Sequence, residues 1–383
     1  MIRITVHPPR KTPHEYLFLY EIEGGGAGTF GITTETFEIP HDPLWDTLYP
    51  LMWLTRNGGP VFGEHDEVRI TLAYPVLWHV IGVMEDRAKR QGINTKVYSP
   101  TVTETAGCPS FWPNVVGFGG GKESSLICGM ARELGLSPQM MMGTMDAGRQ
   151  SLRWPWEDIS FFKPVNKGVT DRLILQMMCG NTVYHGAGLG DTWRSDPWTQ
   201  YYDIGSQEGW NQFNDMFARL GVNRRVIVPL QCVPFAQVPR ILCERYPDIA
   251  VRRRSTDRRG KFSEKNLHVT LCEMVGDVPY DMHCTPAILC QLVESFVARG
   301  DDFGFRNSRR LVHLEIRAML WHLRDSPELA PVRHLITDVD WCRSWPWMGH
   351  YYHQTPTEFE EIIREYLPSA PDGTACDGGV WLG

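Results

Sequence analysis

The chain has 383 residues, of which 42% are hydrophobic and 22% are charged, a composition typical of a soluble globular protein with one large domain or two. Its net charge of −7 argues against a large nucleic-acid-binding surface, and no apolar run approaches the length of a membrane span. We therefore expect neither nucleic acid nor a membrane among its partners. Ten cysteines without a CxxC pair, and a start without the pattern of a signal peptide, indicate reduced thiols and a cytoplasmic location.

Residues 1–110 are predicted to form an α+β region. Alternating apolar residues predict strands over residues 1–6, 16–22, 29–39 and 68–72, and helical spacing predicts helices over residues 45–54 and 75–89. A glycine-rich segment separates the second and third strands, which indicates a hairpin with a long loop.

From about residue 113 strands and helices alternate. Strands are predicted at residues 115–116, 140–145, 182–184 and 226–230, with helices at residues 125–134, 171–178 and 236–244. This order favours an α/β fold, with a parallel sheet over residues 111–260. Residues 261–383 are predicted to be mainly helical, with helices at residues 285–299, 311–323 and 357–367.

The most informative motif is the glycine-rich run at residues 117–125, which follows a short apolar strand and opens a helix. Glycines let the backbone N–H groups approach phosphate oxygens, and the helix start adds a partial positive charge. Lys122 can supply a point charge, and Ser124 and Ser125 can donate hydroxyl groups. The run therefore predicts a phosphate site in a solvent-accessible loop, where alanine at Lys122 or Ser124 would cost little stability. Its spacing matches neither GxxxxGK[ST] nor the usual GxGxxG setting, and the alternative is a turn that binds nothing.

Residues 119–124 resemble the SGGxDS signature of the PP-loop ATP pyrophosphatases. Two positions depart from it, because Gly119 stands in place of the serine and Glu123 in place of the aspartate. The resemblance implies an adenine nucleotide alpha hydrolase-like domain that splits ATP into AMP and pyrophosphate while it adenylates a substrate oxygen.

The same resemblance implies that a later strand end approaches the nucleotide, and a second glycine loop follows the strand predicted at residues 182–184. The residues implied to bind ATP are Gly119, Gly120, Gly121, Lys122, Glu123, Ser124, Ser125, Asp146, Gly186, Gly188 and Asp191. Asp146 and Asp191 are also candidate Mg²⁺ ligands, since Mg²⁺ on phosphates needs only one or two protein carboxylates. The alternative for the second glycine loop is a surface loop without a ligand, and the alternative for Asp146 and Asp191 is an ordinary loop residue.

The order of elements around the loop is similar to that of the ATP-dependent epimerases that invert the terminal glutamate of UDP-MurNAc-L-Ala-L-Glu. The similarity spans most of residues 14–300 and includes residues 34–40, 51–54 and 233–247. It implies that a small-molecule or peptide carboxylate is activated as an acyl-adenylate, loses its α-proton and is reprotonated from the opposite face. A PP-loop ligase that forms an amide, a tRNA-modifying PP-loop enzyme and a non-catalytic scaffold are the alternatives.

Epimerisation needs a base, and the sequence offers His283 and Cys284 directly before a predicted helix, whose dipole favours a thiolate. With Lys122 and Ser124, they are the predicted catalytic residues. Lys163 and Lys167 fall in a predicted loop and can neutralise the α-phosphate. A basic segment at residues 252–261 can hold an anionic substrate, and a solvated loop is the alternative there.

Overall fold

The computed structural model describes residues 1–55, 67–90, 93–100, 102–103, 110–117, 122–143, 159–165, 169–186, 207–230, 233, 237–250, 264–276, 285–299, 308–337 and 357–366. These residues form an α/β structure with many helices, which confirms the predicted class. The sheet is mixed and not purely parallel. The PP-loop fold and the domain boundaries near residues 110 and 260 stay predictions.

The secondary-structure elements alternate along most of the chain. The strands are β1 (Ile2–Val6), β2 (Arg10–Thr12), β3 (Glu15–Ile22), β4 (Ala27–Thr34), β5 (Glu67–Leu72), β6 (Val76–Leu77), β7 (Asn94–Tyr98), β8 (Val102–Thr103), β9 (Trp112–Gly117), β10 (Gln139–Gly143), β11 (Ile159–Pro164), β12 (Gly180–Tyr184) and β13 (Arg225–Ile227). The helices are α1 (Pro43–Leu54), α2 (Trp78–Arg90), α3 (Lys122–Glu133), α4 (Val169–Cys179), α5 (Gln207–Arg219), α6 (Gln237–Arg245), α7 (Pro247–Ala250), α8 (Glu264–Val275), α9 (Pro286–Arg299), α10 (Ser308–Leu323) and α11 (Thr357–Arg364), with a 3₁₀ helix at Pro327–Leu335. No helix in the described ranges is both long enough and apolar enough to cross a lipid bilayer.

The predicted hairpin of β3 and β4 is present, and its aromatic side chains pack against α1. Phe18 stacks on Phe30 with 5.0 Å between the ring centroids, and Phe30 stacks on Trp53 of α1 at 4.3 Å. Such pairs stabilise a core beyond the area that they bury. Asp42 caps α1 by accepting a backbone N–H bond of the first turn at 2.8 Å. The loop of the hairpin is shorter than predicted, with four residues between Ile22 and Ala27.

Within the described residues, eleven strands share one sheet. Its hydrogen-bonded order is β13-β12-β9-β10-β11-β4-β3-β1-β5-β7, with β2 beside β3. The strands from β9 to β13 are all parallel to their neighbours within that group, and β11 joins β4 in the antiparallel sense. Numbered along the chain, the parallel strands stand in the order 5-4-1-2-3.

This order creates a switch point at β9, the first parallel strand. The chain first adds β10 and β11 on one side of β9, and later adds β12 and β13 on the other side. Ligands of open parallel sheets bind beyond the carboxyl ends of the strands at such a point. The two strands that flank it end at Gly117 in β9 and at Tyr184 in β12.

The chain divides into two compact units. Unit 1 comprises residues 1–119, 137–184 and 210–227 and contains the eleven-stranded sheet. Unit 2 comprises residues 120–136, 185–209 and 228–383 and is built from helices in its described part. Its core includes the fully buried side chains of Leu271, Val293, Met319 and Leu329.

In unit 2, α3 packs closely against α6. A Cβ atom on Gly129 would lie 2.8 Å from the ring of Tyr246, so the two helices approach at a distance that only glycine permits without a shift. Arg245 donates two hydrogen bonds to the Glu133 carboxylate, at 2.9 and 2.6 Å, and a third to Glu365 at 2.6 Å. These contacts fix the C-terminal end of α3.

Side chains cover both ends of the described sheet in unit 1. At β13, Asn214 of α5 accepts the Val226 N–H bond at 2.8 Å and donates to the Val226 carbonyl at 3.0 Å. At β7, the Val97 N–H group donates to the Glu85 carboxylate at 2.8 Å. Backbone groups that an edge strand would otherwise expose are therefore hydrogen-bonded.

Candidate functional site

The candidate site lies at the start of α3. This helix begins at Lys122, three residues before the predicted start, so Lys122, Glu123 and Ser124 belong to its first turn. Polar and acidic residues are favourable there because they complement the exposed N–H groups and the helix dipole. The predicted glycines Gly119, Gly120 and Gly121 lie outside the described residues.

Gly117, the first glycine of the run, has a packing role in unit 1. A Cβ atom at this position would lie 2.5 Å from the amide nitrogen of the buried Gln176 side chain on α4. This approach accounts for glycine at residue 117 without any ligand.

The expectation of a solvent-accessible loop is wrong for the first turn of α3. The side chains of Lys122 and Ser124 are only 6% and 7% exposed, and Ser125 is fully buried. They begin a helix of unit 2, and the residues that follow them in this helix, such as Leu126 and Ile127, are also fully buried. Alanine at Lys122 or Ser124 is therefore a change to a packed region.

The Lys122 ammonium group is held by two neighbours. Its Nζ atom lies 3.2 Å from Glu123 Oε1, and it donates to the Sγ atom of Cys272 at 3.8 Å. Burial raises the pKa of Glu123, but the charge and hydrogen bond of Lys122, a backbone hydrogen bond and the nearby His268 outweigh it, so the pKa of Glu123 lies below its ordinary value. Glu123 thus stays ionised at neutral pH and balances the charge of Lys122.

His268 and Cys272 were not predicted as site residues. They are four residues apart on α8, which places both on the same side of the helix. Cys272 Sγ lies 3.8 Å from His268 Nε2 and 3.7 Å from Met319 Sδ, and both His268 and Cys272 are buried. The i, i+4 spacing of histidine and cysteine was visible in the sequence, but its approach to Lys122 was not.

Gly186 lies against the first turn of α3, within unit 2. A Cβ atom at this position would be 3.9 Å from the backbone nitrogen of Ser124, 3.9 Å from Glu123 Cβ and 3.8 Å from Ile127 Cδ1. The first residue of the predicted second glycine loop is therefore a neighbour of the first turn of α3. A side chain at residue 186 would fill space next to the Ser124 N–H group.

The other predicted site residues lie outside the described ranges. They are Asp146, Gly188, Asp191, His283 and Cys284, together with Lys167 and the basic segment at residues 252–261. Lys163 is described, and it is an exposed residue of β11 and not part of a loop. Among the residues that the structure describes, no three His, Cys, Asp or Glu side chains converge on a common metal position.

Comparisons with protein-family models, with curated proteins and with solved structures found no match. The function is therefore inferred from the residues at the start of α3 and from the resemblance to the PP-loop signature.

Proposed function

We propose that the chain binds ATP at the start of α3 and uses it to adenylate a substrate carboxylate, with release of pyrophosphate and later of AMP. The observation that carries the proposal lies within unit 2, where Gly186 of the predicted second glycine loop lies against the first turn of α3 and a Cβ atom on it would be 3.9 Å from the Ser124 nitrogen. A helix start that follows a glycine-rich run suits phosphate, and the resemblance to the PP-loop signature supports the same ligand.

In this proposal the backbone contributes most of the phosphate binding. The N-terminal end of an α-helix carries the positive end of the helix dipole, which favours phosphate oxygens. The Ser124 hydroxyl adds a donor, and the lack of a side chain at Gly186 leaves space beside the Ser124 N–H group. The Glu123 carboxylate balances the Lys122 ammonium group, so the site without ATP is not strongly cationic. In the proposed reaction the ammonium group stabilises the negative charge that develops on the phosphates during ATP cleavage.

Cys272 and His268 act through Lys122 in this scheme. The sulfur accepts a hydrogen bond from the ammonium group, and the imidazole contacts the sulfur, so the pair restrains the position of Lys122. Mg²⁺ would neutralise the phosphates, with Asp146 and Asp191 as its proposed ligands.

For the second half of the reaction we propose epimerisation at the α-carbon of a peptide or amino-acid-derived carboxylate. The carboxylate anion opposes loss of the α-proton, whereas the acyl-adenylate, a mixed anhydride, favours that loss. A base, for which His283 and Cys284 are proposed, removes the proton, and return of a proton to the opposite face inverts the centre. Water then hydrolyses the acyl-adenylate to the inverted carboxylate and AMP. The support for this half is the resemblance to the epimerases.

The test uses ATP labelled at the α-phosphate with a panel of carboxylates, including dipeptides that end in glutamate. We expect labelled AMP and unlabelled pyrophosphate that depend on one carboxylate, whereas ADP and phosphate would contradict the proposal. Turnover in D₂O should place one deuterium at the α-carbon of the inverted product. A product with a new amide bond and no deuterium would support adenylation of the carboxylate but would indicate ligation instead of epimerisation.

A further inference from the structure

A second candidate binding site lies on the solvent face of strands β3, β1, β5 and β7 in unit 1. Residues alternate along these strands, so Ile4, Ile70 and Val97 are buried while their neighbours face solvent. A groove of about 520 Å³ lies on this face, and its lining includes Arg3, Thr5, Glu21, Arg69, Thr71 and Tyr98.

The strand register places three cations side by side across this face. Arg3 lies opposite Arg69, and Arg69 lies opposite Lys96. Neighbouring strands are about 4.8 Å apart, and like charges placed directly opposite one another destabilise a sheet. Each cation of the row therefore needs a nearby negative charge.

The middle cation has the longest contacts to its acid. Arg3 lies 2.9 Å from Glu23, and Lys96 lies 3.1 Å from Glu85. Arg69 contacts one oxygen of Glu67 from both Nε and Nη2 at 3.4 Å, which is longer than a strong charge-assisted hydrogen bond. Arg69 thus has donor capacity for a further anion, and exposed ion pairs of this kind exchange partners at little cost.

Hydroxyl groups form the next row on the same face. Thr5 lies opposite Thr71, and Thr71 lies opposite Tyr98, whose side chain is 48% exposed. A tetrahedral oxyanion can accept hydrogen bonds from a guanidinium group and from hydroxyls together. On the β3 side, Glu21 lies opposite Thr5 and would repel an anion, which limits the length of any anion that fits.

We propose that this face binds a small phosphate-bearing ligand, with the phosphate group on Arg69 beside Arg3 and within reach of Thr5 and Thr71. The acidic side of the groove and the net charge of −7 favour a single phosphate group over a nucleic-acid strand. The site is independent of the proposed ATP site, because all of its residues belong to unit 1 and none to α3.

The test is calorimetric titration of the full chain at low salt with inorganic phosphate and with phenyl phosphate, which distinguish a free anion from a phosphate monoester. We expect binding of at least one of them, weakened at least ten-fold in Arg69→Gln. Arg10→Gln is the matched control, since Arg10 is another exposed arginine with an acidic partner, Glu15, at 3.0 Å, and it does not line the groove. Thr71→Val is a second variant, expected to weaken binding while it leaves the cations in place.

Three results would overturn the proposal. The first is equal binding by the Arg69→Gln and Arg10→Gln variants. The second is loss of phosphate binding in a Gly186→Val variant but not in Arg69→Gln, which would assign the anion to the start of α3. The third is a short single-stranded RNA that binds more tightly than either phosphate compound and depends on Arg69.

Discussion

Replacement of Lys122 by methionine tests the ion pair at the start of α3. The change keeps an unbranched side chain but removes the ammonium group that lies 3.2 Å from Glu123. Loss of one partner of a fully buried ion pair costs about 3–5 kcal/mol. Because the Glu123 side chain retains 26% exposure, we expect the free energy of unfolding at pH 7 to fall by about 2 kcal/mol, measured by urea denaturation.

The pH dependence of this loss has a definite sign. In the wild type the pKa of Glu123 is lowered from 4.5, so its contribution to stability is complete above pH 4.5 and disappears as the pH falls through the folded-state pKa. In Lys122→Met the cation that lowers the pKa of Glu123 is absent. The folded-state pKa of Glu123 therefore rises, because burial raises it. The stability difference between the two proteins should therefore be largest at neutral pH and shrink as the pH falls through the folded-state pKa values of Glu123 in the variant and then in the wild type.

Glu123→Gln supplies the control for the ion pair. Combined with Lys122→Met, it should recover at least about 1 kcal/mol of the loss, because no buried carboxylate is then left without its cation. A loss below about 0.5 kcal/mol at pH 7, or a double-mutant cycle without coupling, would refute the reasoning.

Three further changes test the packing around α3. Gly186→Ala should fold with wild-type stability, because the added Cβ atom would make ordinary contacts of 3.8–3.9 Å. It should weaken ATP binding about three-fold or more. Unchanged affinity would argue against a phosphate at the start of α3. Cys272→Ala and Cys128→Ala each remove a buried thiol, and each should lower the free energy of unfolding by about 1–2 kcal/mol. Only Cys272→Ala should slow ATP turnover, because Cys272 contacts Lys122. Equal turnover rates of the two variants would show that Cys272 is not part of the site. Gly129→Ala should lower stability by about 1–3 kcal/mol in thermal unfolding, because its Cβ would lie 2.8 Å from Tyr246; a stability equal to that of the wild type would contradict the close helix contact.

Local sequence pattern predicted most individual elements. The alternation of buried and exposed residues in β3 is a two-residue period, and α9 begins at Pro286 after Thr285, whose hydroxyl accepts a backbone N–H bond of the first turn at 3.3 Å. Both signals act within a few residues, so they can be read without knowledge of the rest of the chain.

The local sequence pattern did not predict which elements contact each other across long stretches of the chain. The strand β11 was not predicted, and its antiparallel pairing with β4 joins the N-terminal hairpin to the parallel strands in one sheet. The contact of Lys122 with Cys272 spans 150 residues and depends on the packing of α8 in unit 2. The sequence pattern therefore indicated the region at the start of α3 but not the buried side chains around it.

The side chains at the two sheet ends also bear on how the molecule behaves at high concentration. An uncovered terminal strand is a template on which another chain can add by main-chain hydrogen bonding, and this is a common route to aggregation. Asn214 mimics a peptide group, giving and receiving one hydrogen bond as a further strand would, and Glu85 occupies an N–H group at the opposite end while carrying a charge. A wide sheet in a single chain is thereby closed to strand addition at both of these positions, by two side chains and without the closure of a barrel.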